Sequence, residues 1–153
     1  MKLFCQSLLR HLRWRFEEIA IPKLVRQSVT LQAPARGLYA MYLNPRTHQA
    51  ITGGKVVISA RPGSRFSAFN GMLRGRMLYA VAGRLIVQAW RSAGWKKGDL
   101  DSTLILRFTP KGRNGRIDLV HANVPDHDYR GVNNGWRKYY WRPWRKYLAR
   151  KAR

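Results

Sequence analysis

Of all the side chains in this sequence, His11, His48, His121 and His127 are the best suited to general acid–base work or to holding a metal, and their spacing serves neither. None stands from another as a metal-binding pair on one helix or strand would. Cys5 is the only cysteine, so an intrachain disulfide is excluded and no Cys-based zinc site can be assembled. His48, just after Pro45, and His127, in the PDHDY turn, read as capping or surface residues. Asp126 and Asp128 stand where a last helix begins, and carboxylates there offset the helix dipole. Asp99 and Asp101 flank a loop, and Asp118 lies within a strand, where a cross-strand basic partner is its ordinary role. Ser64 beside Gly63 belongs to neither phosphate-loop pattern. No nucleophile can be paired with a base, so enzymatic activity is not expected, and neither a metal nor a cofactor is implied.

The chemistry this sequence does advertise is electrostatic. Thirty Lys and Arg stand against seven Asp and Glu, a net charge of +23, far more than solubility requires. Such a chain attracts polyanions: RNA, DNA or anionic lipid headgroups. The closing stretch GWRKYYWRPWRKYLARKAR (135–153) contains no acid at all. Within it Trp136, Tyr140, Trp144 and Leu148, preceded by Val132, recur every four residues, with Tyr139, Pro143 and Tyr147 beside them. That is the buried stripe of a helix rather than a base-stacking platform, which is usually built on a sheet. Arg137, Lys138, Arg142, Arg145 and Lys146 lie mostly off the stripe and are candidate polyanion contacts. Lys96 and Lys97, in the Trp95–Gly98 loop, and Arg13 and Arg15 near the start are the others. Pro143 removes a backbone donor inside the helix and predicts a kink.

The elements that must position these residues can be read in order. A chain of 153 residues, 45% apolar, can bury the core of one domain. Residues 1–20 form a basic amphipathic extension, with Leu3, Leu8, Leu9, Leu12 and Phe16 on one face. An extra helix packed on the domain, an interfacial anchor and an organelle presequence all fit it. The domain proper, 21–153, opens with a strand, Leu24 to Leu31. Two short helices follow, one carrying Leu38, Met41 and Tyr42, the other running from Pro45 to Ile51. Then come KVVIS, RFSAF, MLRGRMLYAV, LIVQAW, STLILRFTP and RIDLVHANV, separated by turn residues, with Asn70-Gly71 as the clearest hairpin signal. With the first strand, they predict an antiparallel sheet of about seven strands, followed by a helix from Asp126 onward.

Three stretches carry a resemblance that periodicity cannot supply: RQSVTLQAPARGLYAMYLNPRTHQAITGG, GSRFSAFNGMLRGRMLYAVAGRLIVQAWR and LVHANVPDHDYRGVNNGWRKYYWRPWRKYL. In order and spacing, from about Lys23 to Leu148, they resemble the family named for the activator of heat-shock protein 90 ATPase, in its C-terminal-domain form. That family belongs to the START-like (SRPBCC) superfamily. The resemblance implies an α+β helix-grip fold, like that of the birch-pollen allergen, in which a curved antiparallel sheet wraps around a long C-terminal helix. It also implies that Phe66, Phe69, Trp90, Trp136 and Tyr140 line the space between sheet and helix, where superfamily members often keep a cavity for a hydrophobic or amphipathic ligand. Eukaryotic activators carry an additional N-terminal domain that residues 1–20 are too few to replace, so direct stimulation of a chaperone ATPase is not expected. Lys138 and Arg142 stand where the family's terminal motif usually carries acids, and the resemblance leaves them unexplained.

Two readings follow. One is a non-enzymatic helix-grip binding module, with a hydrophobic small molecule or a chaperone as its partner. The other is an RNA- or ribosome-associated protein that uses the same fold as a scaffold. The single cysteine favours a reducing compartment, the cytoplasm first, with an organelle such as the mitochondrion as the alternative that the basic N-terminus raises.

Overall fold

The computed structural model describes residues 21–152. Readings that fall on the first twenty residues, including Arg13 and Arg15, lie outside them. Strand β1 (Lys23–Leu31) is followed by helices α1 (Ala35–Leu43) and α2 (Pro45–Thr52). Strands β2 (Arg65–Ala68), β3 (Leu73–Val81), β4 (Leu85–Ser92), β5 (Ser102–Lys111) and β6 (Asn114–Val124) come next. A 3-10 turn (Asp126–Asp128) then leads into α3 (Tyr129–Gly135), a π-helical segment (Trp136–Trp141) and α4 (Arg142–Lys151). The six strands form one sheet in the order β1-β6-β5-β4-β3-β2, antiparallel throughout. This is the helix-grip architecture that the sequence predicts.

Local chemistry accounts for the boundaries. Asn44 caps α2 by accepting from the Thr47 N–H at 3.0 Å, Pro45 takes the first turn, and Gly53 ends the helix at φ 85°. In β5 and β6, Leu104, Leu106, Phe108, Ile117 and Leu119 alternate inward, so the inner face of the sheet is apolar along its centre. Helix α1 presses onto β6 at Gly115, where a Cβ would lie 2.6 Å from Leu38 Cδ1 and 2.9 Å from the Ala33 carbonyl oxygen. A side chain there would lift the helix off the sheet.

KVVIS does not form a seventh strand. Val56 and Ile58 point inward as the alternation requires, but the only pairing is a single bridge between Val57 and Ser67. Asn70 occupies the groups that a ladder would use: its side chain accepts from the Lys55 N–H at 2.9 Å, and its own N–H donates to the Lys55 carbonyl at 3.3 Å. The Asn70-Gly71 hairpin does form, with a longer turn than a two-residue loop. Ala68 pairs with Leu73, and Phe69, Asn70 and Gly71 all have positive φ. A non-glycine residue held there is strained, and Phe69 spends that strain in reaching the C-terminal helix.

That helix carries the buried stripe: Val132, Trp136, Tyr140, Trp144 and Leu148 are all in the core. The irregularity expected at Pro143 lies one turn earlier. The Arg142 N–H donates to the Arg137 carbonyl, five residues back, so the turn before the proline is widened rather than broken. The same widening turns Trp141 into the core and leaves Tyr139 half exposed.

Candidate functional site

Between the β2–β3 turn, the end of β4 and the start of the C-terminal helix lies a cleft of about 390 Å³. Phe69, Met72, Leu73, Trp90, Trp136 and Tyr140 form most of its wall, with Val132 and Tyr139 on the helix side. Gly131 and Gly135 also face it, and their missing side chains leave the room. Four residues singled out from the sequence, Phe69, Trp90, Trp136 and Tyr140, are therefore brought together on the cleft. Phe66 is not among its lining residues: it sits on β2 in the core, 2% exposed.

The aromatic wall is held by ring contacts. Phe69 meets Tyr140 edge-on at 5.6 Å, and Trp136 lies 4.4 Å from Tyr140 and stacks on Trp141 at 5.4 Å. Polar groups are few. Ser92 and Asp128 stand at the cleft, and Asp128 accepts from the Trp95 Nε1–H at 2.7 Å. The Trp90 Nε1–H is buried and has no acceptor among the described residues.

Behind the cleft the core holds two histidines that the sequence reading did not place there. His48, expected at a cap or on the surface, is 1% exposed. Capping at Asn44 sets the phase of α2 so that His48 and Ile51 both face inward. His48 Nδ1 lies 2.7 Å from the Tyr42 carbonyl, which can only accept, so the proton is on Nδ1; Nε2 then accepts from the Tyr140 hydroxyl at 3.4 Å. The Tyr42 hydroxyl in turn donates to Gln88 Oε1 at 2.8 Å. Burial lowers the pKa of His48 to about 4, although its bond to the Tyr42 carbonyl opposes the shift. Burial likewise holds the Tyr42 and Tyr140 phenols above their ordinary value.

His121 has the opposite tautomer. Trp136 Nε1–H donates to His121 Nδ1 at 3.2 Å, so the ring proton is on Nε2 and goes to Ser102 Oγ at 2.7 Å. The Ser102 hydroxyl donates to the Trp90 carbonyl at 2.8 Å. Desolvation lowers the pKa of His121 to about 3. A serine within hydrogen-bond reach of a histidine has the outline of a nucleophile and its base. Here both are fully buried, and the serine's proton is already committed to a carbonyl. The arrangement instead ties β4, β5 and β6 to the helix through Trp136. It was invisible in the sequence, since its hydrogen-bonded members are 12 to 19 residues apart on four elements.

The basic residues divide into unequal groups. Along the outer side of the C-terminal helix run two grooves. One, of about 440 Å³, lies against β1 and is lined by Arg26, Ser28, Arg137, Arg142 and Arg145. Its floor is Trp141 and Gln27: Trp141 Nε1–H donates to Gln27 Oε1 at 2.6 Å, while Gln27 Nε2 donates to the Asn133 carbonyl at 2.6 Å and to Asn133 Oδ1 at 2.7 Å. The other groove, toward α2, is lined by Lys138, Arg142, Lys146 and Arg150 over Ile51 and Pro143. Lys96 and Lys97 are elsewhere, in a loop threaded with acids. There Asp99 accepts from the Lys96 backbone N–H at 2.7 Å and pairs with His127 at 2.9 Å. Trp95 of that loop is buried against Trp90. Asp118 has the basic partners expected of it, Arg116 at 2.7 Å and the cross-strand Arg107 at 3.8 Å.

This architecture recurs in known proteins. An HSP90 activator from Plasmodium falciparum superposes with a TM-score of 0.74 at 20% identity, covering 82% of this chain and 96% of that one. A protein from Mesorhizobium loti gives 0.72 at 19% identity, covering 84% of this chain and 98% of its own. Among sequences, an uncharacterized fission-yeast (Schizosaccharomyces pombe) protein is 30% identical over 119 residues, 71% of this chain and 35% of that protein. A Dictyostelium discoideum homologue of the activator of 90 kDa heat shock protein ATPase is 23% identical over 117 residues, 76% of this chain and 30% of that protein. The chain thus spans about a third of the length of these curated relatives. The family model described as Activator of Hsp90 ATPase homolog 1-like protein matches residues 32–149, and the chain belongs to that family.

Proposed function

We propose that this protein is a non-enzymatic binding module whose aromatic cleft takes a hydrophobic or amphipathic small molecule. The observation that carries the reading is the cleft itself: an apolar wall of Phe69, Met72, Leu73, Trp90, Trp136 and Tyr140, left open by Gly131 and Gly135. Small-molecule sites are typically concave, mostly apolar and equipped with a few polar groups, which Ser92 and Asp128 supply here. Titration with a neutral naphthylamine probe, which the net charge neither attracts nor repels, tests it. Binding should quench tryptophan fluorescence, depend little on salt, and be lost in Gly135→Leu. The Gly135 backbone is helical and its Cβ would be in ordinary contact, 3.7 Å from the Tyr139 ring, so that variant fills the cleft without distorting the helix. Unchanged probe binding in a folded Gly135→Leu variant would remove the cleft as the site.

A chaperone is the second partner that this reading admits, on the strength of the family and of the Dictyostelium relative's name. The expected behaviour is association with an Hsp90-type chaperone, with acceleration of its ATPase as a separate property. Co-sedimentation together with a coupled ATPase assay separates the two. Absence of co-sedimentation removes the chaperone from the reading.

A further inference from the structure

We infer that the two basic grooves flanking the C-terminal helix form a single cradle for the phosphodiester backbone of a nucleic acid, gripped without regard to base sequence. Arg142 lines both grooves. It makes a cationic ridge, with Arg26, Arg137 and Arg145 on one side and Lys138, Lys146 and Arg150 on the other. No acid of the described residues enters either groove. Asp99, Asp101, Asp118 and Asp126 are each paired elsewhere, with His127, Arg91, Arg116 and Lys23, and Asp128 is held by Trp95. Among the described residues the cradle's own cations have no carboxylate partner, so their charge is available to a ligand.

The first groove is also preformed. Its floor is the Trp141–Gln27–Asn133 hydrogen-bonded clamp between helix and β1, and it is the π-helical turn that brings Trp141 inward and leaves Arg137, Arg142 and Arg145 at the rim. Such turns often mark functional sites. Guanidinium forks match phosphate oxygens two at a time.

The ligand class follows from what the grooves lack. Protein partners are usually held by aromatic or aliphatic anchors buried at the centre of an interface, but Trp141, Trp144 and Ile51 are already in this protein's core. A bilayer would need an apolar helix face to insert, and that face packs on the sheet. Charge without an exposed ring also excludes base stacking, so contacts should position a strand without reading it.

Fluorescence anisotropy with two unrelated single-stranded 20-mer RNAs tests this across a KCl titration. Both should bind with affinities within a few-fold of each other. Log affinity should fall against log salt with a slope of roughly −3 if the four arginines of the first groove each neutralise one phosphate of the single strand. Arg26→Gln/Arg137→Gln/Arg145→Gln should lose at least tenfold in affinity at 150 mM KCl, and its slope should flatten by roughly two units. The control Arg61→Gln/Arg65→Gln/Arg113→Gln removes the same charge from exposed positions outside both grooves and should change affinity less than threefold. Equal losses in the two variants would reduce the interaction to diffuse attraction by net charge and overturn the cradle. Binding to phosphatidylserine-containing vesicles or to polyglutamate that RNA cannot displace would overturn the assignment to nucleic acid.

Discussion

His121 shows how a single residue can bind this core together and still be its weak point. Its Nδ1 must stay unprotonated to accept from Trp136, and His48 must likewise keep Nε2 free for Tyr140. Both folded-state pKa values, about 3 and about 4, lie below the ordinary 6.5. Between those limits the unfolded chain binds more protons than the folded one, so stability is complete above pH 6.5 and is lost as pH falls. At about 1.4 kcal/mol per pH unit, each histidine should remove about 2 kcal/mol between pH 6.5 and 5. Urea denaturation at several pH values should show this, and His121→Gln, which can still accept from Trp136 and donate to Ser102, should lower the slope by about half. Trp136→Ala should cost about 3 to 5 kcal/mol at any pH; a variant melting with the parent would show that Trp136 is not a core residue. The aromatic stripe was legible because a helix repeats its own face locally. The burial of His48 and His121 was not, because their hydrogen-bond partners come from distant elements: Tyr140 lies 92 residues from His48, and Ser102 lies 19 from His121.

At the scale of elements, the C-terminal helix obeys a period that an ordinary α-helix cannot keep. Residues four apart drift by about 40° per step at 3.6 residues per turn, and by about 160° between Val132 and Leu148. Yet all five stripe residues are buried. The π-helical turn takes up part of that drift, so the strict repeat of four was itself a sign of a widened turn, more telling than Pro143. The missing seventh strand had no such sign. KVVIS alternates as a strand should, and what stops it is the Asn70 side chain, fifteen residues from Lys55. The helix–β1 junction hangs on a single side chain, Gln27. Gln27→Ala should leave the Trp141 N–H without its acceptor and release Asn133, costing about 1 to 3 kcal/mol. Its exposed neighbour Arg26→Ala should stay within about 0.5 kcal/mol. Equal midpoints in urea for the two variants would mean that the clamp does not hold the helix.

For the whole molecule, the net charge of +23 opposes folding wherever the chain is compact. In the described residues every aspartate already has a partner, so further ion pairs cannot offset the excess cations. Screening should therefore stabilise this protein, whereas a protein held by surface ion pairs is weakened by salt. Raising KCl from 20 to 300 mM should lift the melting temperature by a few degrees, corresponding to about 1 kcal/mol. The cradle sharpens that expectation. If the repulsion is concentrated along the C-terminal helix, an inorganic polyphosphate that spans both grooves should give the same rise at a far lower ionic strength than KCl. Arg26→Gln/Arg137→Gln/Arg145→Gln should already melt higher than the parent in 20 mM KCl and gain less from either salt. A melting temperature that falls with KCl would show that attractive pairs outweigh repulsion. A polyphosphate effect no greater than that of KCl at equal ionic strength would show the charge to be spread evenly over the surface, with no place where phosphates bind together.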